Sequence, residues 1–240
     1  MDNSISYLSL NRQIGLSIEL DVLSNNISNI NTSGFRREGV NFTEFVLSAE
    51  NENSISMADI GARHTLDLPG AVVESGGALD VAIEGEGFFL IDGVGERLLT
   101  RAGAFQVSDT GVLSTPGGAP VLDVGGGQIP IGIDTKEIQI AEDGTVSANG
   151  IAISQIAIVT APPTAMTRVG DTSFSVIDGA FEALENPRVR QGALEKSNVN
   201  PVHEIARMIE ITRAYEMAQS VIQDEDERIR DVIQTLSENV

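Results

Sequence analysis

The strongest constraint on the fold is an apolar repeat in the C-terminal part of the chain. From residue 208 to residue 236, apolar side chains recur at alternating intervals of three and four residues, with one interruption at Glu225. The members of this seam are Met208, Ile211, Tyr215, Ala218, Ile222, Ile229, Val232 and Leu236. The spacing predicts one apolar face along a helix. At ~1.5 Å per residue, a helix over 201–237 would be about 55 Å long.

The beginning of this helix carries residues that satisfy free backbone groups. Asn200 is suited to the N-cap, and Pro201 fits the first helical position, where no amide hydrogen is needed. Glu204 places a negative charge in the first turn. A second apolar line widens the face near the start: Val202, Ile205 and Ile209. We expect a C-terminal helix over 201–240 that needs partners on more than one side.

A weaker copy of the repeat lies near the N-terminus, at Leu16, Leu20, Leu23, Ile27 and Ile30. Asparagines at positions 25, 26, 29 and 31 interrupt it, and each is a worse helix former than alanine by roughly 0.5 kcal/mol. Gly34 can supply a left-handed C-terminal cap. We therefore expect an N-terminal helix within 1–35 that is frayed alone and pairs with the C-terminal helix as a coiled-coil-like unit.

The middle of the chain has short alternating runs punctuated by glycine. Residues 105–113 and 138–146 both have the pattern strand, Asp-Gly-type turn, strand, and 151–160 is a further candidate strand. The pattern predicts an α+β protein with a central, mainly antiparallel β domain over 75–180. The polar, aperiodic segment 36–74 is interpreted as an extended linker, and 181–200 as a return linker.

The composition excludes several function classes. The chain has 15 Lys and Arg against 35 Asp and Glu, a net charge of −20, and no segment concentrates its cations. It therefore lacks the basic face that a binder of bare nucleic acid needs. With eight Phe, two Tyr and no Trp, an aromatic-lined ligand cleft is not expected. The absence of cysteine excludes disulfides and thiolate metal sites.

Motifs for catalysis, cofactors or metals are not recognisable. His64 and His203 are the two histidines and lie far apart in the sequence. The glycines at 85–87 and 125–127 lack the remaining residues of a dinucleotide or phosphate loop. Chance carboxylate pairs among the 35 acids stay open as acid–base groups. No run reaches the ~18 apolar residues of a membrane span, and the start does not resemble a cleaved secretory signal.

Four segments, in the same order as in the family, resemble bacterial flagellar rod and hook proteins. The first is 25–37, NNISNINTSGFRR, although Ser28 departs from the usual alanine. The second is 79–89, LDVAIEGEGFF, and the third is 99–111, which begins LTRAGAF and ends DTG. The fourth is 191–202, QGALEKSNVNPV, followed by RAYE at 213–216. The resemblance covers essentially the whole chain.

The resemblance implies a structural, non-enzymatic subunit of the basal-body rod, the shaft that crosses the periplasm and carries motor torque to the hook. Implied partners are copies of the chain, other proximal and distal rod subunits and the flagellar type III export apparatus. No cofactor, nucleic acid or membrane insertion is implied. Within the family, the chain length fits the proximal and distal rod subunits, and the segments 1–3, 11–16 and 201–202 resemble the proximal one more.

Each terminal helix has an apolar stripe that it cannot bury alone, so we expect assembly to bury both. The predicted interface comprises Leu16, Leu20, Leu23, Asn25, Asn26, Ile27, Asn29, Ile30, Gly34, Phe35, Asn198, Val199, Val202, Ile205 and the eight seam residues Met208 to Leu236. We expect Asn25, Asn26 and Asn29 to hydrogen-bond across helices or subunits and so to fix the register. Frayed, exposed asparagines are the alternative.

Two other functional classes stay open from the residues alone. The first is a β-head binding module on a coiled-coil stalk, as in adhesins or phage tails, which would form a closed assembly. The second is an enzyme that cuts peptidoglycan, although no recognisable lytic domain is present. The molecular mass of the purified protein and a muralytic assay would distinguish these classes from a rod subunit.

Overall fold

The computed structural model describes residues 3–47, 55–133, 135, 137–177 and 180–238. The protein is α+β with antiparallel sheets, which confirms the predicted class. The chain divides into two compact units that alternate along the sequence. We call them the helical unit and the β unit.

The helical unit contains helices α1 (Asn3–Ser28) and α2 (Pro201–Glu238) and the antiparallel strands β1 (Glu38–Leu47) and β2 (Ile55–Thr65). α1 packs along α2 and also contacts β1 and β2. Asn200 caps α2 as predicted, because its Oδ1 accepts hydrogen bonds from the backbone amides of Val202 and His203 at 3.1 and 3.2 Å.

The β unit comprises residues 29–37 and 67–199. Its strands are β3 (Val72–Glu74), β4 (Val81–Ile83), β5 (Phe88–Asp92), β6 (Arg97–Thr100), β7 (Gln106–Val107), β8 (Leu113–Ser114), β9 (Ile138–Ile140), β10 (Thr145–Ala148), β11 (Ile151–Gln155), β12 (Ile158–Thr160), β13 (Met166–Arg168), β14 (Ser173–Val176), β15 (Glu182–Ala183), β16 (Val189–Gln191) and β17 (Ala193–Glu195). The largest sheet has the order β13-β14-β6-β5-β12-β15, and a second sheet has the order β11-β10-β9. β4 pairs with β16, β3 with β17, and β7 with β8.

Strand β5 lies between two apolar clusters of the β unit. Successive side chains of a strand point to opposite faces. Phe89 and Ile91 therefore pack with one cluster and Phe88 and Leu90 with the other. All four side chains are buried, so the core of this unit extends on both faces of the strand.

The predicted strand–turn–strand segments are confirmed. β7 and β8 pair within 105–114, and β9 and β10 pair within 138–148. The candidate strand 151–160 is instead two strands, because the chain leaves β11 at Gln155 and joins the large sheet as β12. β11 is therefore an edge strand of the smaller sheet.

The expectation of a linker over 36–74 is wrong where β1 and β2 lie. Their register shifts between Val40 and Phe42, and such a bulge interrupts the alternation by which a strand is recognised in a sequence. The return segment 181–200 likewise contains strands β15, β16 and β17. α1 ends at Ser28, so Gly34 is not its cap, although it has the predicted left-handed conformation, with φ +72°.

Candidate assembly interface

Asn26 of α1 connects this helix to strand β1 and to helix α2 of the helical unit. Its side chain is fully buried and donates from Nδ2 to the backbone oxygen of Glu38 at 2.9 Å and to Oε2 of Glu204 at 3.1 Å. Its Oδ1 accepts from the backbone amide of Glu38 at 2.9 Å. One amide side chain of α1 therefore holds both the first residue of β1 and the first turn of α2.

The other two asparagines of the predicted set have local partners. Asn25 Nδ2 donates to Oε2 of Glu38 at 3.3 Å, which connects α1 to β1. Asn29 lies in the β unit, where its Oδ1 accepts from Oγ1 of Thr32 at 2.9 Å. The prediction was of hydrogen bonds across helices or subunits, and the bond from Asn26 to Glu204 joins the two helices.

Replacing Asn26 with leucine should destabilise the helical unit. The change removes one hydrogen-bond partner each from the buried backbone amide and carbonyl of Glu38 and from the buried Glu204 carboxylate, so we expect a loss of about 2–4 kcal/mol. Urea unfolding followed by hydrogen exchange of α1 and α2 amides measures it. Asn25→Leu is the control, because Asn25 is only half-buried and its bond to Oε2 of Glu38 is longer, at 3.3 Å. Equal stability of the two variants would contradict the assigned role of Asn26.

An ion pair also joins α1 and α2. Arg207 Nη2 lies 2.8 Å from Oε1 of Glu19, and its Nε donates to the same oxygen at 2.9 Å. The hydrogen bond to Glu19 raises the pKa of Arg207 above its ordinary value. Glu19 precedes Asn26 whereas Arg207 follows Glu204, so the helices run antiparallel. Because the Arg207 side chain is 44% exposed, the pair adds little stability and serves mainly to define the register.

The predicted seam is covered over part of its length. Ile211 and Ala218 of α2 and Leu23 of α1 are buried. Six further predicted residues are half-buried: Leu16, Leu20, Ile27, Met208, Tyr215 and Ile222. Ile229 is 39% exposed, while the side chains of Val232 and Leu236 lie outside the described residues. Pairing within one chain therefore covers the seam near the start of α2 and leaves Ile229 accessible.

A second apolar line of α2 faces away from the seam. Its side chains are largely exposed: Val202 is 77% exposed, Ile205 49%, Ile209 50%, Met217 62% and Val221 46%. On α1, Leu10 and Ile14 are 50% and 46% exposed. We call the five α2 residues the outward face. Single exposed apolar residues are ordinary, but these five lie along one side of the same helix.

The remaining predicted interface residues lie inside the β unit. Phe35 is fully buried, Val199 is 7% exposed, and Gly34 is buried too. Ile30 and Asn198 are half-buried. The backbone amide of Gly34 donates to the carbonyl of Glu195 at 2.8 Å. The prediction of an intersubunit contact is therefore wrong for Gly34, Phe35 and Val199, which are covered by their own chain.

Asn198 connects the two signature segments of the sequence. Its Oδ1 accepts from the backbone amide of Arg37 at 2.6 Å, and its own backbone amide donates to the carbonyl of Phe35 at 3.4 Å. Its Nδ2 donates to the carbonyl of Leu68 at 2.8 Å. The first and fourth motifs, far apart in the chain, thus meet within the β unit.

Buried charges were not predicted, and they form the centre of this junction. Glu195 Oε1 lies 3.2 Å from Nη2 of Arg36 and accepts from the backbone amide of Gly70 at 3.0 Å. Glu195 Oε2 lies 3.6 Å from Nε of Arg101. The side chains of Arg36, Arg101 and Glu195 are at most 4% exposed. Burial lowers the pKa of Arg101, and Glu195 opposes that shift.

A third arginine, Arg168, contacts the same segment but is not part of the ion cluster. The Arg168 guanidinium lies 4.9 Å from the ring centres of both Phe35 and Phe174. Its Nη2 donates to the backbone carbonyl of Arg36 at 2.5 Å. Cation–π contacts of this kind are worth about 0.5–2 kcal/mol. Arg36, Arg101 and Glu195 all lie in the motif segments, but their spacing alone gives no signal of burial.

The described residues contain no group of three or more His, Cys, Asp or Glu that could hold a metal ion. His64 and His203 are exposed. Among the helices that the structure describes, none combines the length and apolar character needed to cross a bilayer.

Three family models match the chain. The model described as flagella basal body rod protein matches residues 7–36, and that of the flagellar hook protein FlgE/F/G D1 domain matches residues 82–148. The model of the flagellar basal body rod FlgEFG protein C-terminal region matches residues 190–235. The matches fall on α1 with the first motif, on the β unit, and on the fourth motif with α2.

Curated relatives match over nearly the full length. The flagellar basal-body rod protein FlgF of Caulobacter vibrioides is 36% identical, and the match covers 98% of each chain. FlgF of Rhizobium meliloti is 36% identical over 96% of each chain. The rod protein FlgG of Bacillus subtilis is 31% identical over 95% of this chain and 97% of its own. With its two helices and its β unit matched in order, the chain belongs to the flagellar basal-body rod protein family, as a FlgF-like structural component of the rod.

Proposed function

We propose that the chain is a proximal rod subunit that assembles with copies of itself and with other rod proteins through its terminal helices. The resulting tubular shaft transmits motor torque to the hook. The FlgF relatives support the proximal position. The similarity to FlgG proteins, 31–33% identical in two species, makes a distal rod subunit the second candidate.

The outward face of α2 is the observation that carries this proposal. Its five side chains are between 46% and 77% exposed in the single chain, and covering a Val, Ile or Met completely is worth roughly 1.5–3 kcal/mol. Asn26, Glu19 and Arg207 hold α2 against α1 from the opposite side. Because α2 is already held against α1, less conformational entropy is lost when the outward face is buried during assembly.

Because α2 is longer than α1, it offers a second contact surface. α2 has 38 residues and α1 has 26, so α2 is longer by 12 residues, or about 18 Å. Ile229 and Ile233, in its distal part, are 39% and 61% exposed. We infer that a neighbouring helix continues the seam there by coiled-coil-like pairing.

The two contacts lie on different sides of α2, which determines the type of assembly. A surface that pairs with a different surface of the next copy makes a heterologous contact, and such contacts can continue as an open helical array. We infer a stack of subunits rather than a closed assembly. The role is structural, without catalysis.

We also infer passage through the flagellar type III export apparatus, which the family resemblance implies. Export in an unfolded state agrees with a chain that contains no cysteine and so forms no disulfide before or after transit. The large ordered β unit must then fold after export.

Adding charge to the outward face should block assembly without unfolding the chain. The double variant is Ile209→Glu with Met217→Glu. Both positions are at least 50% exposed, so the free subunit should tolerate the two carboxylates. Burying these unpaired carboxylates against a neighbouring subunit would be strongly unfavourable. We expect the variant to be absent from purified basal bodies and the cells to be non-motile. Gln219→Glu with Gln223→Glu, which adds the same two charges at exposed polar positions of α2, should be incorporated normally. Normal incorporation of the double variant would contradict the proposal.

A further inference from the structure

Arg213 lies in the middle of the outward face of α2. Its neighbours there, at steps of four residues along the helix, are Ile205, Ile209, Met217 and Val221. Each step of four residues advances by only about 40° around a helix, so the five side chains lie along one side, with Arg213 at the centre. Arg213 is exposed. The outward face therefore presents one cation among apolar side chains.

Arg213 has no ion pair among the described residues. Glu210 and Glu216 lie one turn away on either side, but Glu210 pairs with Arg207 at 3.2 Å, and Glu216 is exposed. Desolvation of an unpaired cation is costly. Burial of the outward face therefore calls for a carboxylate on the surface that covers it.

Helix α1 carries an exposed strip with the opposite charge. At spacings of four, three and four residues, one side of this helix presents Leu10, Ile14, Ser17 and Asp21, which we call the α1 strip. All four are exposed, Leu10 by 50% and Ile14 by 46%. In the described part of the chain, Asp21 has no basic partner. The α1 strip thus presents one anion beside two apolar side chains.

Within one chain the two surfaces face away from each other. Glu19, which pairs with Arg207 of α2, lies two residues before Asp21 and therefore on the opposite side of α1. Glu204, which accepts a hydrogen bond from α1, lies nine residues before Arg213, or about 2.5 turns, and therefore on the opposite side of α2. Asp21 and Arg213 can accordingly pair only between chains.

We propose that the outward face of α2 docks against the α1 strip of a second copy of this chain, with Arg213 of one copy paired to Asp21 of the next. The inference rests on the proposed function, in which copies assemble, and it names the surface that covers α2. Two copies that each carry a net charge of −20 repel each other, so a contact that matches opposite charges is favoured. The two surfaces differ, so the contact can repeat along an open array.

The spacing of the side chains agrees with this pairing. Copies in an open array point the same way, so α1 of one copy runs antiparallel to α2 of the next, as it does within the chain. With Asp21 opposite Arg213, Ser17 lies opposite Met217, and Ile14 lies within one residue of the position opposite Val221. A small side chain then faces a long one, and an apolar side chain faces another.

An exchange of charges tests the ion pair. Arg213→Glu alone and Asp21→Arg alone each set like charges against each other, so each should lower the amount of chain in purified basal bodies about tenfold. Arg213→Glu with Asp21→Arg restores the pair with reversed charges and should recover most of the incorporation. Arg213→Glu with Glu182→Arg is the control. It has the same net charge but places its new cation at an exposed sheet edge, and it should stay as low as Arg213→Glu.

Cross-linking tests the same contact without charge, because the chain has no cysteine. Asp21→Cys with Arg213→Cys removes both partners together, which leaves no unpaired charge. In purified basal bodies under mild oxidation, we expect disulfide-linked multimers of this chain on a gel without reductant. Asp21→Cys with Gln219→Cys is the matched control, since Gln219 is exposed on α2 but lies outside the outward face, and it should give no multimers.

Several results would overturn the inference. They are an exchanged pair that is incorporated no better than Arg213→Glu, equal recovery in the Glu182→Arg control, and cross-links that are absent, formed only to a different rod protein, or equal for the two cysteine pairs. Circular dichroism of the free subunits checks folding, and the cysteine pair decides if a charge variant fails to fold. If the Ile209→Glu, Met217→Glu variant is excluded from rods while the exchange gives no recovery, this inference fails and the proposed function stands.

Discussion

Glu195→Gln is expected to destabilise the β unit by about 3–5 kcal/mol, because it leaves buried guanidinium groups without their counter-charge. The Glu195 carboxylate is 2% exposed and lies within 3.6 Å of both Arg36 and Arg101. Hydrogen exchange of β5 and β6 amides across a urea titration measures the loss specifically in the β unit. Glu182→Gln is the control, because Glu182 is exposed at a sheet edge. Unchanged exchange in Glu195→Gln would contradict the assigned role of the carboxylate.

A compensating variant separates lost charge pairing from lost packing. Replacing all three buried ions by apolar residues of similar volume, with Arg36→Met, Arg101→Met and Glu195→Leu, removes both the charges and their counter-charge. Such replacements are often neutral or stabilising. We therefore expect the triple variant to recover most of the stability lost in Glu195→Gln. If the triple variant is less stable than Glu195→Gln, the three side chains stabilise the β unit through their packing and hydrogen-bond geometry rather than through charge pairing.

Gly34→Ala is expected to be strongly destabilising, by about 3 kcal/mol or more. Gly34 has φ +72°, and an added Cβ would lie 2.3 Å from the backbone nitrogen of Ala102 and from the backbone carbon of Arg101. Neither backbone atom can rotate away, so the first motif would have to leave its position. Circular dichroism melts and urea titrations of the full chain measure the effect.

Gly76→Ala is the matched control for this clash. Gly76 has φ +74°, almost the same conformation, but an added Cβ would meet nothing within 4 Å. It should therefore show only the left-handed backbone penalty of about 1–2 kcal/mol. Equal losses in Gly34→Ala and Gly76→Ala would mean that the approach to Arg101 and Ala102 does not matter.

The helices were predictable from the sequence because their signals are local. The seam spacing, the Asn200 cap and Pro201 all act within a few turns, and α2 begins at Pro201. The short pairs β7–β8 and β9–β10 were predictable for the same reason, since a turn and its flanking alternation are neighbours in the chain. The β1–β2 pair was missed because a bulge breaks its alternation and because it packs against α1 rather than standing alone.

The buried polar groups were not predictable, because their partners are distant in the sequence. Asn26 and Glu204 are separated by 178 residues and Arg37 and Asn198 by 161. The repeats indicated that Leu23 and Ile211 belong to a seam, but not that Val202, Ile205 and Ile209 would stay exposed. Which apolar line of α2 pairs with α1 depends on the Asn26–Glu204 and Glu19–Arg207 contacts.

Thiol labelling of Met217→Cys tests most directly whether the outward face of α2 is buried between subunits. Met217 is 62% exposed in the single chain, and the chain has no other cysteine, so the free subunit should be labelled completely by a maleimide. In purified basal bodies labelling of the same variant should be lost, and unfolding those rods in urea should restore it. Equally complete labelling in free subunit and intact rod would contradict assembly through the terminal helices.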